Sequence, residues 1–116
     1  MLKVLRDCKT MHRDMNPCSI IFESPESKIM KLGNFGSAKK CEDGTILTAA
    51  HTTIKDGGIY RFKAPELLYE NNPGKEYGSK VDVWAGGMNM YFMATLDIPG
   101  ENQVQHSLDN NLNHFS

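Results

Sequence analysis

The chain has 116 residues, 40% of them hydrophobic, and a formal net charge of −1. That is enough for one small core, and the near-neutral balance excludes a global pull toward nucleic acid or anionic membrane. Three cysteines, Cys8, Cys18 and Cys41, have no C-x-x-C spacing, so neither a disulfide framework nor a zinc ribbon is indicated and a reduced intracellular compartment is expected.

In chain order, Met1, Val4, Leu5 and Cys8 recur at i, i+3, i+4, i+7, which predicts the last turns of an amphipathic helix. A helix in stride at the first residue suggests a chain cut, or restarted, at an internal methionine. Charge interrupts this segment too early for a secretory signal, and no apolar run approaches the roughly 18 residues that cross a bilayer. Ile20–Phe22 and Ile29–Leu32 predict two short strands, with Glu23–Lys28 as the turn between them. Residues 36–63 lack a sustained period and predict a long loop.

Pro65 suits the first turn of a short helix over Glu66–Tyr69, ended by Asn71-Asn72-Pro73-Gly74. From Lys80 to Leu96, Val81, Val83, Trp84, Met88, Tyr91, Phe92 and Met93 crowd nearly every face, which predicts a buried helix. Gly86 and Gly87 lower its propensity and point to close packing against another backbone. Val104, Leu108, Leu112 and Phe115 recur at helical spacing in a polar tail. His51, His106 and His114 belong to no constellation. Cys8 and His12 are four apart with Cys18 nearby, too little for a metal cluster.

The order of four motifs carries the functional reading. His12-Arg13-Asp14 precedes the strand pair, Asn34-Phe35-Gly36 follows it, then come Ala64-Pro65-Glu66 and Val81-Asp82-Val83-Trp84. This order resembles the eukaryotic protein kinase family over residues 1–115. Phe35-Gly36-Ser37-Ala38-Lys39, Phe62–Tyr69, Tyr77–Trp84 and Ile98–Asn102 are similar to the group of cyclin-dependent, mitogen-activated and glycogen synthase kinases. His12–Met15 and Leu67–Tyr69 lean toward its cell-cycle-related and activating branch.

The resemblance implies a mainly α fold with a small β-hairpin, a partial protein-kinase-like C-lobe (α+β) filling residues 1–116 as one partial domain. That domain would comprise the end of the helix before the catalytic loop, the loop itself, the activation segment and the buried C-lobe helix. The N-lobe and late C-lobe are expected to be missing.

It further implies Asp14 as the acceptor of the substrate hydroxyl proton, and Arg13 as the contact of a phosphorylated activation loop. His12 would pack structurally beside Phe35, with Gly36 completing that turn. Glu66 would form an ion pair with a later arginine, and Asp82 would hold the catalytic-loop backbone. Thr48, Thr52 and Thr53 fall where loop phosphosites would lie. ATP and Mg2+ are the family's cofactors; a protein substrate or protein partner, cyclin-type in a full-length relative, is the implied partner. The nucleus or cytoplasm is the implied location.

The departures weaken that chemistry. The magnesium-ligating Asn of the catalytic loop is Ser19, the phosphate-contacting Lys is Asn16, and the metal-binding Asp before Phe-Gly is Asn34. Ile59 stands where a threonine would bond Asp14. Magnesium favours anionic oxygen, which a neutral amide and a short hydroxyl do not replace. The expectation is therefore a serine/threonine kinase relative of impaired or absent activity. The alternatives are a pseudokinase-like binding module or a truncated, non-functional product.

Overall fold

The computed structural model describes residues 1–42, 44, 47–48, 59–67 and 76–98, with the side chains of 47, 48 and 59 excepted. Helix α1 covers Leu2–Asp7 and ends where Lys9 adopts a left-handed φ of 47°. Of its predicted apolar face only Leu5 is buried; Val4 and Cys8 are exposed. The chain then forms strand β1 (Thr10–Met11), strand β2 (Ile20–Phe22), strand β3 (Met30–Leu32) and strand β4 (Lys39–Lys40). Strand β5 (Leu47–Thr48), strand β6 (Glu76–Tyr77) and helix α2 (Lys80–Thr95) follow. Single turns of 3-10 helix sit at Pro17–Ser19, Phe35–Ser37, Ile59–Phe62 and Pro65–Leu67.

The strands pair as three antiparallel ribbons: β2 with β3, β1 with β4, and β5 with β6. The first is the expected hairpin, registered Ile20 to Leu32, Ile21 to Lys31 and Phe22 to Met30. Its turn is closed by the Ser27 N–H donating to Ser24 O. The other two ribbons correct the expectation of one hairpin and of a structureless 36–63 loop. Strands of two residues have no side-chain period to read, and their partners lie far off in sequence. The short helix predicted from Glu66 is a 3-10 turn, Pro65–Leu67; Leu68 to Tyr69 lie outside the described residues.

Helix α2 corrects a second expectation. Its buried residues are Val81, Asp82, Ala85 and Asn89, one side of the helix. Val83, Trp84, Met90, Tyr91 and Met93 are exposed. The inner side meets two small clusters. Met11, Ala64, Tyr77 and Val81 form one, with Cys41 and Leu67 against it. Leu5, Met15 and Ala85 form the other, with Leu32 against it. Phe62 is also buried, edge-on to Phe92 with ring centroids 5.9 Å apart. Among the described residues no backbone approaches Gly86 as expected: the nearest neighbour is a side chain, since a Cβ there would meet Leu2 Cδ1 at 3.3 Å. A Cβ at Gly87 would meet nothing within 4 Å.

Candidate active site

The inner side of α2 positions the site through Asp82. This carboxylate sits in the first turn of α2, 4% exposed. Its Oδ2 accepts from the His12 N–H at 2.7 Å and its Oδ1 from the Arg13 N–H at 2.9 Å. Both distances fit charge-assisted bonds, and the helix N-terminus favours negative charge at that position. Arg13 has a left-handed φ of 67°, a conformation that costs a non-glycine residue about 1–2 kcal/mol. The two bonds to Asp82 hold it there.

His12 is fully buried and has both ring nitrogens engaged. Its Nε2 lies 2.8 Å from Gly33 O, and its Nδ1 accepts from the Asp14 N–H at 3.2 Å. The protonated nitrogen is therefore Nε2. The ring also stands edge-on to Phe35, centroids 4.9 Å apart. His12 thus ties the loop that carries Asp14 to the turn that carries Asn34.

Arg13 extends the same tie. Its Nε donates to Ser37 O at 2.6 Å and one terminal nitrogen donates to the Tyr77 hydroxyl at 2.8 Å. The guanidinium joins the His12–Asp14 loop, the turn after Phe35 and strand β6. Tyr77 is the residue that sequence reasoning passed over here. Nothing in its local pattern says where a hydroxyl on a two-residue strand will lie.

Residues 14–19 form a closed unit of hydrogen bonds. Asn16 caps the Pro17–Ser19 turn, its Oδ1 accepting from the Cys18 N–H at 2.9 Å. Ser19 returns the capping box by accepting from the Asn16 N–H at 3.3 Å. The Ser19 hydroxyl donates to Asp14 O at 2.9 Å, and Asn16 Nδ2 donates to the same carbonyl at 3.0 Å. Asn16 and Ser19 are both buried, Ser19 fully. Both side chains hold the loop.

Asn34 is the opposite case. It is exposed, in left-handed geometry (φ 57°, ψ 59°), and its side chain makes no capping bond to the Phe35–Ser37 turn. Asparagine tolerates that region better than most residues, which accounts for it locally. Phe35 and Gly36 are exposed as well. Among the described residues no group of three or more His, Cys, Asp or Glu could hold a metal ion.

The Asp14 carboxylate is partly exposed. Its Oδ1 lies 3.7 Å from Lys63 Nζ and 3.4 Å from Asn16 Nδ2. Lys63 was also missed from sequence, because motif order fixes its place in the chain and not the direction of its side chain. Glu66 lies elsewhere, half-buried on the wall of a cavity of about 680 Å³ with Lys3, Arg6, Glu42, Glu76 and Lys80. Asp14, Asn16, Ser19 and Asn34 do not line it. Thr48 pairs with Glu76 in the β5–β6 ribbon, its side chain outside the description. Thr52 and Thr53 lie outside the described residues altogether.

The protein kinase domain pattern matches residues 1–115, so the chain belongs to the protein kinase domain family. It is 35% identical over 102 residues to a probable serine/threonine-protein kinase nek2 of Dictyostelium discoideum, covering 86% of this chain and 22% of that protein. It is 35% identical over 107 residues to the serine/threonine-protein kinase Nek5 of Mus musculus, covering 92% of this chain and 16% of that one. It is 34% identical over 111 residues to the serine/threonine-protein kinase DCLK2 of Mus musculus, covering 92% of this chain and 13% of that one. The chain thus spans less than a quarter of these relatives. It is serine/threonine-kinase-like, and none of these three is named as a cyclin-dependent kinase.

The family generally uses ATP and Mg2+. The residues at the two positions that the motif resemblance assigns to the metal are a poor fit to that ion. Ser19 has its hydroxyl committed inside the loop, and Asn34 offers a neutral amide where a carboxylate would neutralise the triphosphate.

Proposed function

We propose that the chain is the middle of a protein-kinase C-lobe whose phosphotransferase activity, ATP γ-phosphate to protein serine or threonine, is impaired or lost. The observation that carries this reading is Ser19, fully buried, with its hydroxyl donating to Asp14 O and accepting from the Asn16 N–H. A side chain with no exposed surface, turned into the loop by both bonds, offers a metal ion no approach in this geometry. Asp14 remains as the carboxylate in the proton-accepting position, and the tie through His12, Arg13 and Asp82 is that of a scaffold. The cyclin-dependent subgroup, a cyclin-type partner and a nuclear location rest on the motif resemblance alone.

The test is transfer of labelled phosphate from Mg-ATP to a generic protein substrate by the 116-residue chain. The expected result is no transfer above that of Asp14→Ala. Transfer by the wild-type chain that Asp14→Ala abolishes would overturn the reading.

A second reading, a pseudokinase-like protein-binding module, is favoured by the uncovered apolar side of α2, which carries Val83, Trp84, Met90 and Tyr91. Recovery of one partner at a fixed stoichiometry would support it. The third reading, a truncated product without function, is decided by the mass of the endogenous protein, near 13.0 kDa or well above it.

A further inference from the structure

Among the ion pairs of the described residues, three are surface contacts, with side chains 51–78% exposed: Lys3 with Asp7, Arg6 with Asp7, and Lys31 with Glu23. Lys63 with Asp14 is different in kind, at 13% and 24% exposure. A lysine that far from solvent is almost always paired. Its backbone is pinned on both sides by buried Phe62 and Ala64, and its N–H donates to Tyr60 O at 3.0 Å. Asp14 is pinned likewise, its carbonyl accepting from Ser19 and Asn16. Two anchored backbones leave less side-chain entropy to lose than an exposed pair does.

We propose that Lys63 is a positioning residue of the candidate site. Its ammonium holds the Asp14 carboxylate and supplies, from the far side of the chain, the positive charge that Asn16 does not carry. A hydroxyl or an anion approaching Asp14 therefore meets an ion pair and not a lone carboxylate. The inference takes from the proposed function the choice of Asp14 as the carboxylate of interest and the reading of Asn16 as a replaced lysine. Its test reads the pair directly, so it fails or stands independently of phosphoryl transfer.

The test is trace acetylation of the 116-residue chain with the rate at each lysine read by mass spectrometry. Lys63 should label more slowly than Lys3 and Lys31 in the wild type. In Asp14→Asn, a nearly isosteric change, the Lys63 rate should rise by about threefold or more while Lys3 and Lys31 stay unchanged. Burial alone would leave Lys63 as slow as before, and that result would overturn the proposal.

Should Asp14→Asn fail to fold, Lys63 will label as fast as the exposed Lys3 and Lys31 and circular dichroism will show the loss of structure, and a second pair of variants decides. Lys63→Arg should keep the wild-type unfolding midpoint and Lys63→Gln should lower it. Equal midpoints for the two would overturn the proposal.

Discussion

The two sides of α2 divide the molecule. The inner side presents Asp82 and Asn89 to the backbone of residues 12–15 and Val81 and Ala85 to the two clusters. Every polar group there but one is satisfied: Asn89 Nδ2 donates to Met15 O at 3.2 Å and Ala85 O at 2.7 Å, leaving only its Oδ1 without a partner. The outer side is apolar and open. The helix therefore holds the His12–Asp14 loop with one side, while the other leaves Val83, Trp84, Met90 and Tyr91 about half exposed or more. Geometry and catalytic chemistry are separable for the same reason. Asp82 grips backbone N–H groups, which any non-proline residues of the loop provide, whereas the proposed loss of metal binding rests on the side chains at Asn34 and Ser19.

The largest effect should follow from breaking the inner side at its charge. Asp82→Ala leaves the buried His12 N–H and the Arg13 N–H without acceptors and removes the restraint on the left-handed Arg13 backbone. A loss of about 3–5 kcal/mol is expected, which for a marginal domain means global unfolding in urea titration or circular dichroism. A loss below about 1 kcal/mol would mean that the loop holds its own shape.

Next in size is Asn89→Asp, which keeps the shape and reverses the chemistry. Both donations from Nδ2 become contacts between a carboxylate and carbonyl oxygens in a buried site. The expected cost is about 2–3 kcal/mol, measured by the same titration. The orphaned Oδ1 makes Asn89→Leu the informative contrast: it removes an unsatisfied acceptor along with the donor, so its cost should be smaller.

The glycine pair sharpens the comparison on neighbouring residues. Gly87 faces open space, so Gly87→Ala should stabilise α2 by up to about 1 kcal/mol through helix propensity. Gly86→Ala gains the same propensity but must move the Leu2 side chain, whose Cδ1 lies 3.3 Å from the new Cβ. Leu2 is itself partly exposed and able to shift, so the gain should shrink without becoming a large loss. A melting-temperature ranking of Gly87→Ala above wild type, with Gly86→Ala between them or just below, is the expected result.

How much of this was legible follows from which interactions have a sequence period. The β2–β3 hairpin was readable because two apolar runs flank a turn containing Ser24-Pro25. Motif order placed His12, Asp14, Asn34 and Asp82 in one neighbourhood before any coordinates. The β1–β4 and β5–β6 ribbons left no trace, since a two-residue strand is fixed by its partner and not by its own pattern. Composition overstated the burial of α2, because apolar residues on every face say what a helix tolerates and not what covers it. Lys63, Tyr77 and the burial of Ser19 are tertiary facts, set by side-chain direction across separations that spacing does not encode.

The smallest expected effect on stability tests the outer side itself. Met90 is 70% exposed, so Met90→Glu removes little buried area and adds a charge that water can solvate. The fold should change by less than about 0.5 kcal/mol, as for surface substitutions away from special features. Association should change more. An apolar stripe shared by Val83, Trp84, Met90 and Tyr91 favours self-association, and a carboxylate within it makes its burial costly. The measurement is sedimentation velocity of wild type and Met90→Glu at matched concentrations, with denaturant titration alongside. A shift toward monomer at unchanged stability is the expected pair of results. A loss of more than about 1 kcal/mol would instead show that this side of α2 is covered in the folded chain, and the division between its two sides would fall.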